Sequence, residues 1–306
     1  MKIAITGAGG FIGTHLTQRL EPEGHELVLL SKRPRKEDSR VLAQDLSDTQ
    51  ALTELFANCD AVAHCAGINR EVGNQTYERV HVRATNSVIE AAQAAGVQKI
   101  VLTSFLRARP NCGSPYHESK WAAEELVRNS GLDYTIIKAG VVYGRGDHML
   151  DHLSHALHTF PVFALVGLEE KSVRPLAVAD LAHVMRAAIV DRRMKRQTIA
   201  LLGPEEMYLG EAVRRVAEVL GKRPLMFRLP VACHYLMARI FETLMTTPLV
   251  SLAQVRILSE GVVEPGSQVV PLPYDLTPTR RFTAEQIRSG LPHPGPFVLG
   301  DLRWCS

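Results

Sequence analysis

The sequence predicts an α/β fold: a doubly wound parallel sheet followed by a smaller C-terminal cap. Three observations carry that expectation. Short apolar runs alternate with longer amphipathic ones from the first residues as far as Gly144. A glycine-rich turn separates the first apolar run from the first amphipathic one. Beyond Gly144 the alternation stops, and the tail from Gly261 is rich in Pro and Gly.

Taken in order, Ile3–Thr6 reads as a short strand and Phe11–Leu20 as a helix. Glu26–Leu30 and Ala61–His64 are the next strands. Tyr77–Ala95 is one long helical pattern stopped by Gly96. Lys99–Thr103, Tyr116–Asn129 and Tyr134–Ile137 follow as strand, helix and strand. Strands alternating with helices pair in parallel through right-handed crossovers and bury both faces of the sheet. Further on, Val173–Val178 reads as a strand feeding the helix Asp180–Val190. Met207–Leu220, stopped by Gly221, and Leu229–Met245 read as helices, and the tail as an irregular wrap. The expected division gives residues 1–160 and 179–202 to the sheet domain. Residues 161–178 and 203–306 form the cap.

Composition narrows the function classes. The 306 residues are 46% hydrophobic and 22% charged, ordinary values for a globular chain. A net charge of +3 does not point to nucleic acid. Five cysteines form no C-x-x-C pair and no even framework, which fits a reducing cytoplasm. No apolar run approaches the length of a spanning helix or a signal peptide.

The segment Thr6 to Gly13 places Gly7, Gly10 and Gly13 at G-x-x-G-x-x-G spacing, directly after a strand and opening a helix. Glycines permit the tight turn and let backbone approach a pyrophosphate, and the helix N-terminus offers N–H groups to phosphate. The segment Gly7, Gly10, Phe11, Ile12 and Gly13 is therefore the expected phosphate cradle of a Rossmann-type dinucleotide domain. In such folds an acidic residue at the end of the second strand binds the ribose 2′-hydroxyl. Here that position reads Ser31-Lys32-Arg33-Pro34-Arg35-Lys36. Cations suit a 2′-phosphate, so NADP is expected over NAD, with Arg33 as main contact and Ser31 and Lys32 assisting.

Together these residues resemble the short-chain dehydrogenase/reductase superfamily in its extended and atypical, epimerase/dehydratase-like branches. Asp45-Leu46 looks like the pair beside the adenine, and His64-Cys65-Ala66-Gly67 like the strand-end motif near the cofactor. Ala84-Thr85-Asn86 and Tyr116-His117-Glu118-Ser119-Lys120 also fit. A narrower resemblance rests on the segments 121–125 and 142–147 and on Pro248–Val262. It is to bacterial proteins related to the nucleotide-binding accessory subunit of respiratory complex I.

The resemblance implies an oxidoreductase acting on a carbonyl or hydroxyl group of a small molecule. Tyr116 would exchange the proton, and Lys120, one helical turn away, would hold the nicotinamide ribose and lower the Tyr116 pKa. Ser104 would position the substrate oxygen, with Thr103 in reserve. Cys65, Ala66, Gly67, Thr103 and Lys138 would line the cofactor. Two departures stand out. Phe105 occupies the place where many relatives carry the catalytic serine. Lys138-Ala139 stands where relatives often read Arg-Pro. The departures leave open a second class, a non-catalytic NADPH-binding structural or assembly protein. Such a protein would be peripheral to the inner membrane and related to quinone or to a respiratory complex, with Leu229–Met245 as its interfacial helix. His148, His152, His155 and His158 lie at helical spacing but lack acidic or cysteine partners, and no metal is expected.

Overall fold

The computed structural model describes residues 1–32, 40–245, 250–292 and 296. The chain divides into two compact units. The first comprises Met1–Ala139, Val178–Leu201 and Pro265–Thr277, and the second most of the remainder.

In the first unit β1 (Lys2–Thr6) leads through the glycine turn into α1 (Phe11–Leu20). β2 (Glu26–Ser31), β3 (Val41–Ala43) and α2 (Thr49–Leu55) follow, then β4 (Ala61–His64) and α3 (Ala84–Ala94). β5 (Lys99–Phe105), α4 (Pro115–Asn129), β6 (Asp133–Ala139), α5 (Val178–Ile189) and β7 (Gln197–Leu201) complete it. The seven strands form one sheet in the order β7-β6-β5-β4-β1-β2-β3, and every pairing is parallel. The order reverses beside β1, where the glycine turn lies, and such switch points are where doubly wound sheets bind ligands. All seven residues of β5 are buried, as a central strand covered on both faces requires. Val62, Ile100 and Ile136 of the sheet pack with Leu52, Phe56, Val88 and Val127 of the flanking segments.

Two strands of this sheet escaped the sequence pattern. β3 has three residues, two of them exposed, and β7 opens on the half-buried Gln197 and Thr198. Both lie at sheet edges, where one face or end meets water and the apolar run shortens. The long pattern from Tyr77 is also not one regular helix. Glu78–Arg83 is a π-helical turn before α3, a widening of the kind often found at functional sites. The tail is only partly a wrap. Gly266 N–H donates to Leu106 C=O at 3.0 Å and Val270 N–H to Thr198 C=O at 2.8 Å, so Pro265–Thr277 braces β5 and β7.

The second unit has its own core of Leu150, Leu157, Leu165, Val213, Val216, Phe282 and Ile287. Its helix His148–Thr159 is capped by Asp147, whose carboxylate accepts from Leu150 N–H at 2.6 Å. The reading of Met207–Leu220 as one helix is corrected: Met207–Tyr208 pairs as a short strand with Ser172–Val173, and the helix is Leu209–Val219. Leu229 ends a strand, and Pro230 caps the helix Val231–Leu244. That helix buries His234 and Ala238 and exposes Leu236, Ile240 and Leu244, one stripe at four-residue spacing.

Candidate functional site

The glycine turn shows which glycines the backbone itself demands. Gly7 lies at φ +73°, and a Cβ there would stand 2.7 Å from Ala66 N. A Cβ on Gly13 would stand 2.2 Å from Gly7 O. Both positions are closed by the fold. Gly10 is different: it is exposed, and its Cβ would meet only Gly7 O, at 3.1 Å. Gly10 is also the N-cap of α1, and no side chain caps that helix. Its first-turn N–H groups therefore have no side-chain acceptor and suit an anion.

At the end of β2, Ser31 is half-buried and Lys32 is exposed. Lys32 Nζ lies 3.8 Å and Arg79 Nη2 3.2 Å from Asp45 Oδ2. The backbone N–H of Ser47 holds the Asp45 carboxyl below its ordinary range, with the Ser47 hydroxyl, Lys32 and Arg79 adding to it. Leu46 packs against the core. Arg33 lies outside the described residues.

Tyr116 and Lys120 sit one turn apart on α4, which Pro115 starts at its first position. Lys120 lies against Gly67, where a Cβ would come within 3.0 Å of Nζ. Burial pushes the Lys120 ammonium down to about 8, against an opposing pull from the Glu124 charge. Thr103, Ser104, Lys120 and Ala66 line one small internal cavity of about 10 Å³. Cys65 is a free thiol that burial pushes up to about 12.

Three expectations change here. The phenol of Tyr116 is not lowered by Lys120. Burial, and after it Tyr77, raises it above the ordinary phenol value. The Ser104 hydroxyl is engaged elsewhere: it donates to Glu124 Oε1 at 2.5 Å, and both residues are buried. Lys138 points its charge at Glu124. Its Nζ is fully buried and donates to Glu124 Oε1 at 2.7 Å, Glu124 Oε2 at 3.0 Å and Ala108 C=O at 2.8 Å. Arg128 completes this charge cluster at 2.6 Å from Glu124 Oε2, with Trp121 under its guanidinium. A buried carboxylate needs such partners, and the serine hydroxyl is one of them.

Several residues of the site carry no motif. Phe105 packs its ring 5.5 Å from that of Tyr116. Tyr77 lies 5.6 Å from Tyr116 and stacks on His81 at 5.4 Å. His81 Nε2 accepts from Ile68 N–H at 3.1 Å, so Nδ1 carries the proton and donates to Ser119 Oγ at 2.9 Å. The Ser119 hydroxyl donates in turn to Tyr116 C=O at 3.0 Å. Burial, then Lys120, holds His81 down at about 2, a neutral ring. His64 is likewise neutral, at about 3, chiefly from burial. It accepts from Thr6 Oγ1 at 2.6 Å and donates to Thr85 Oγ1 at 3.0 Å. Among the described residues no group of His, Cys, Asp or Glu is arranged to hold a metal, and no helix is long and apolar enough to cross a membrane.

The arrangement is continuous. The α1 N-terminus adjoins Gly7, Gly7 packs on Ala66, Gly67 lies under Lys120, and Tyr116 is one turn further on. An open glycine at a bare helix N-terminus and an ammonium beside a strand-end glycine fit the pyrophosphate and ribose of a dinucleotide.

The chain is similar to several known proteins. The chain is 29% identical to a ceramide reductase of Caulobacter vibrioides, over 74% of this chain and 73% of that protein. It is 23% identical to the 40 kDa subunit of NADH-ubiquinone oxidoreductase of Neurospora crassa, over 85% and 72%. A Mycobacterium tuberculosis relative is 26% identical over 84% of this chain, which spans only 27% of that protein's length. Among solved structures, MoeE5 in complex with UDP-glucuronic acid and NAD superposes with a TM-score of 0.64 at 26% identity. The match covers 75% of this chain and 86% of that one. The sequence profile of the NAD dependent epimerase/dehydratase family matches residues 3–201, and the chain belongs to that family.

Proposed function

We propose that the chain is an NADPH-dependent reductase of a small-molecule carbonyl. The observation that carries this reading is the continuous path from the α1 N-terminus through Ala66 and Gly67 to Lys120 and Tyr116. When bound, the reduced dinucleotide supplies the hydride. The chain's own residues do the rest. Phe11–Gly13 hold the pyrophosphate, Lys120 holds the ribose, and Tyr116 gives the substrate oxygen its proton. At neutral pH the Tyr116 phenol carries its proton, the form that a reduction consumes. The ceramide reductase relative makes carbonyls borne on long alkyl chains the first class to try. The preference for the 2′-phosphate rests on Lys32, Arg33 and the absence of an acidic residue at the end of β2.

Two measurements test the reading. NADPH is expected to bind more tightly than NADH, and Arg33→Ala to cost about 1.5–3 kcal/mol for NADPH alone, the range for hydrogen bonds to a charged group. Equal affinities at physiological salt would remove the NADP assignment. Single-turnover oxidation of bound NADPH across aldehydes, ketones and quinones tests the reductase itself.

The second reading, an NADPH-holding structural or assembly protein at a membrane surface, is favoured by one observation. Ser104 is committed to Glu124 and Phe105 brings no hydroxyl. The exposed Leu236, Ile240 and Leu244 stripe would be its lipid face. Flotation with anionic vesicles decides that reading, and a protein that stays wholly in the soluble fraction ends it.

A further inference from the structure

A carbonyl that is being reduced builds negative charge on its oxygen, and a second hydrogen-bond donor there lowers the barrier beyond what the proton donor achieves. In this chain neither residue at the end of β5 can serve. The Ser104 hydroxyl is donated to Glu124 Oε1, and Phe105 presents a ring to Tyr116. The polar group that meets the Tyr116 hydroxyl comes from elsewhere. It is the side-chain amide of Asn69, in the loop after β4, whose Oδ1 lies 3.5 Å from Tyr116 Oη.

That loop is fixed by several contacts. Ile68 N–H donates to His81 Nε2 at 3.1 Å, and the Tyr77 hydroxyl donates to Asn69 C=O at 2.9 Å. Glu71 Oε1 accepts from Tyr77 N–H at 2.7 Å. Tyr77 and His81 also pack their rings on Tyr116, at 5.6 and 5.8 Å. The same two side chains therefore hold both the phenol ring and the backbone that carries Asn69. Asn69 is exposed, whereas Tyr116 is buried. An oxygen that reaches the Tyr116 hydroxyl comes within reach of the Asn69 amide.

Resting on the reductase reading above, we infer that Asn69 is a further catalytic residue, whose Nδ2 donates a hydrogen bond to the substrate oxygen while Tyr116 protonates it. As hydride from the reduced dinucleotide reaches the carbonyl carbon, the C–O π pair moves onto oxygen. The proton from Tyr116 Oη completes the hydroxyl, and the phenolate left behind recovers its proton from water. Asn69 keeps all its protons. Its Oδ1 orients the phenol before reaction and its Nδ2 meets the charge that forms. This assigns to an amide on the β4 loop the place that Phe105 leaves without a hydroxyl.

The test uses the full chain with NADPH and 4-nitrobenzaldehyde as probe. Asn69→Ala is expected to lower the single-turnover rate about a hundredfold, the scale for one donor at a developing oxyanion, with NADPH affinity unchanged. Asn69→Asp cannot donate when ionised, so its rate is expected to be low at neutral pH and to recover in part as acid protonates the new carboxyl. The wild type should show no such recovery. A readout that needs no turnover accompanies these. With 13Cζ-labelled tyrosine in the unliganded protein, the Tyr116 resonance, identified by its loss in Tyr116→Phe, is expected to move in Asn69→Ala. A wild-type rate in Asn69→Ala overturns the catalytic role. A Tyr116 resonance that stays put overturns the contact. If the wild type oxidises NADPH neither with the probe nor with any aldehyde, ketone or quinone of the panel above, although the resonance moves, the reductase reading falls, and the catalytic role with it. The Asn69–Tyr116 contact then stands alone.

Discussion

In the proposed reduction Tyr116 and Lys120 divide the chemistry between them, and the environment of each shifts its pKa. Burial raises the phenol further above neutral pH, so in the proposed reduction Tyr116 would start with its proton on. Tyr116→Phe keeps the ring among Tyr77, Phe105 and His117 but removes the acid. Single-turnover reduction is expected to fall about a hundredfold, the usual scale for one general acid, while NADPH titration is unchanged. Activity that survives intact would refute the mechanism. Lys120 behaves in the opposite sense. Its folded value is depressed to about 8, so the ammonium is present below that pH and is lost as pH rises through it. Dinucleotide binding that uses this charge is therefore expected to be full at pH 7 and to weaken from pH 8 upward. Lys120→Met should bind weakly and with little dependence on pH in that window. A flat wild-type profile between pH 7 and 9.5, read by calorimetry, would show that Lys120 does not hold the ligand.

At the scale of elements, the glycine turn separates what the fold needs from what a ligand needs. Gly7 and Gly13 are closed by Ala66 and by the turn's own backbone. Substituting either disturbs the β1–α1 junction and reports on folding as much as on binding. Gly10 is the informative position, because its Cβ direction meets only Gly7 O and is otherwise open. Gly10→Ala is expected to fold, with a circular dichroism spectrum and hydrogen-exchange protection near those of the parent, and to lose most of its NADPH affinity. Unchanged affinity in that folded variant would place the dinucleotide elsewhere. The β1–α1 turn was legible in the sequence for a local reason: strand, glycines and helix are contiguous. The Tyr116–Lys120 pair was legible for the same reason, since one helical turn links them. Asn69 and His81 were not, because they meet α4 across separations of 47 and 38 residues that no periodicity encodes. Lys138 carried a missed signal. A lysine in the otherwise apolar run Tyr134–Ala139 of a central strand requires a buried anion, and Glu124 supplies it. Reading Lys138 by its place in a family motif sent it to the cofactor, whereas asking where its charge is neutralised points to α4. The edge strands β3 and β7 went unseen because half-exposed strands dilute the apolar run.

The whole chain is discontinuous in its packing, and that bears on how a ligand stabilises it. The sheet that carries the site is not finished until β7, and Pro265–Thr277 then returns to bond Leu106, just past the end of β5, and Thr198 of β7. Each unit is thus assembled from three separate stretches, and each has its own core. Two cores in one chain make a single melting temperature an uncertain measure, so the response to ligand is better read locally. A ligand that binds only the folded site adds RT ln(1 + [L]/Kd), about 2.7 kcal/mol at a hundredfold excess over Kd. With NADPH at that excess, global-opening amides of the first unit are expected to exchange about a hundredfold more slowly. The effect should be clearest in β1, β4 and β5, which border the glycine turn, Ala66 and the Tyr116 pocket. It should also reach β7 and the amides of Val270 and Gly266, if the returning segment opens together with the sheet it braces. Hydrogen exchange read by mass spectrometry resolves these peptides. Slowing confined to the stretches Gly140–Ala177 and Leu202–Glu264 would mean that the dinucleotide binds outside the sheet unit, and the site described here would be wrong. Slowing in β1, β4 and β5 without Pro265–Thr277 would keep the site but make the returning segment an independently opening strap.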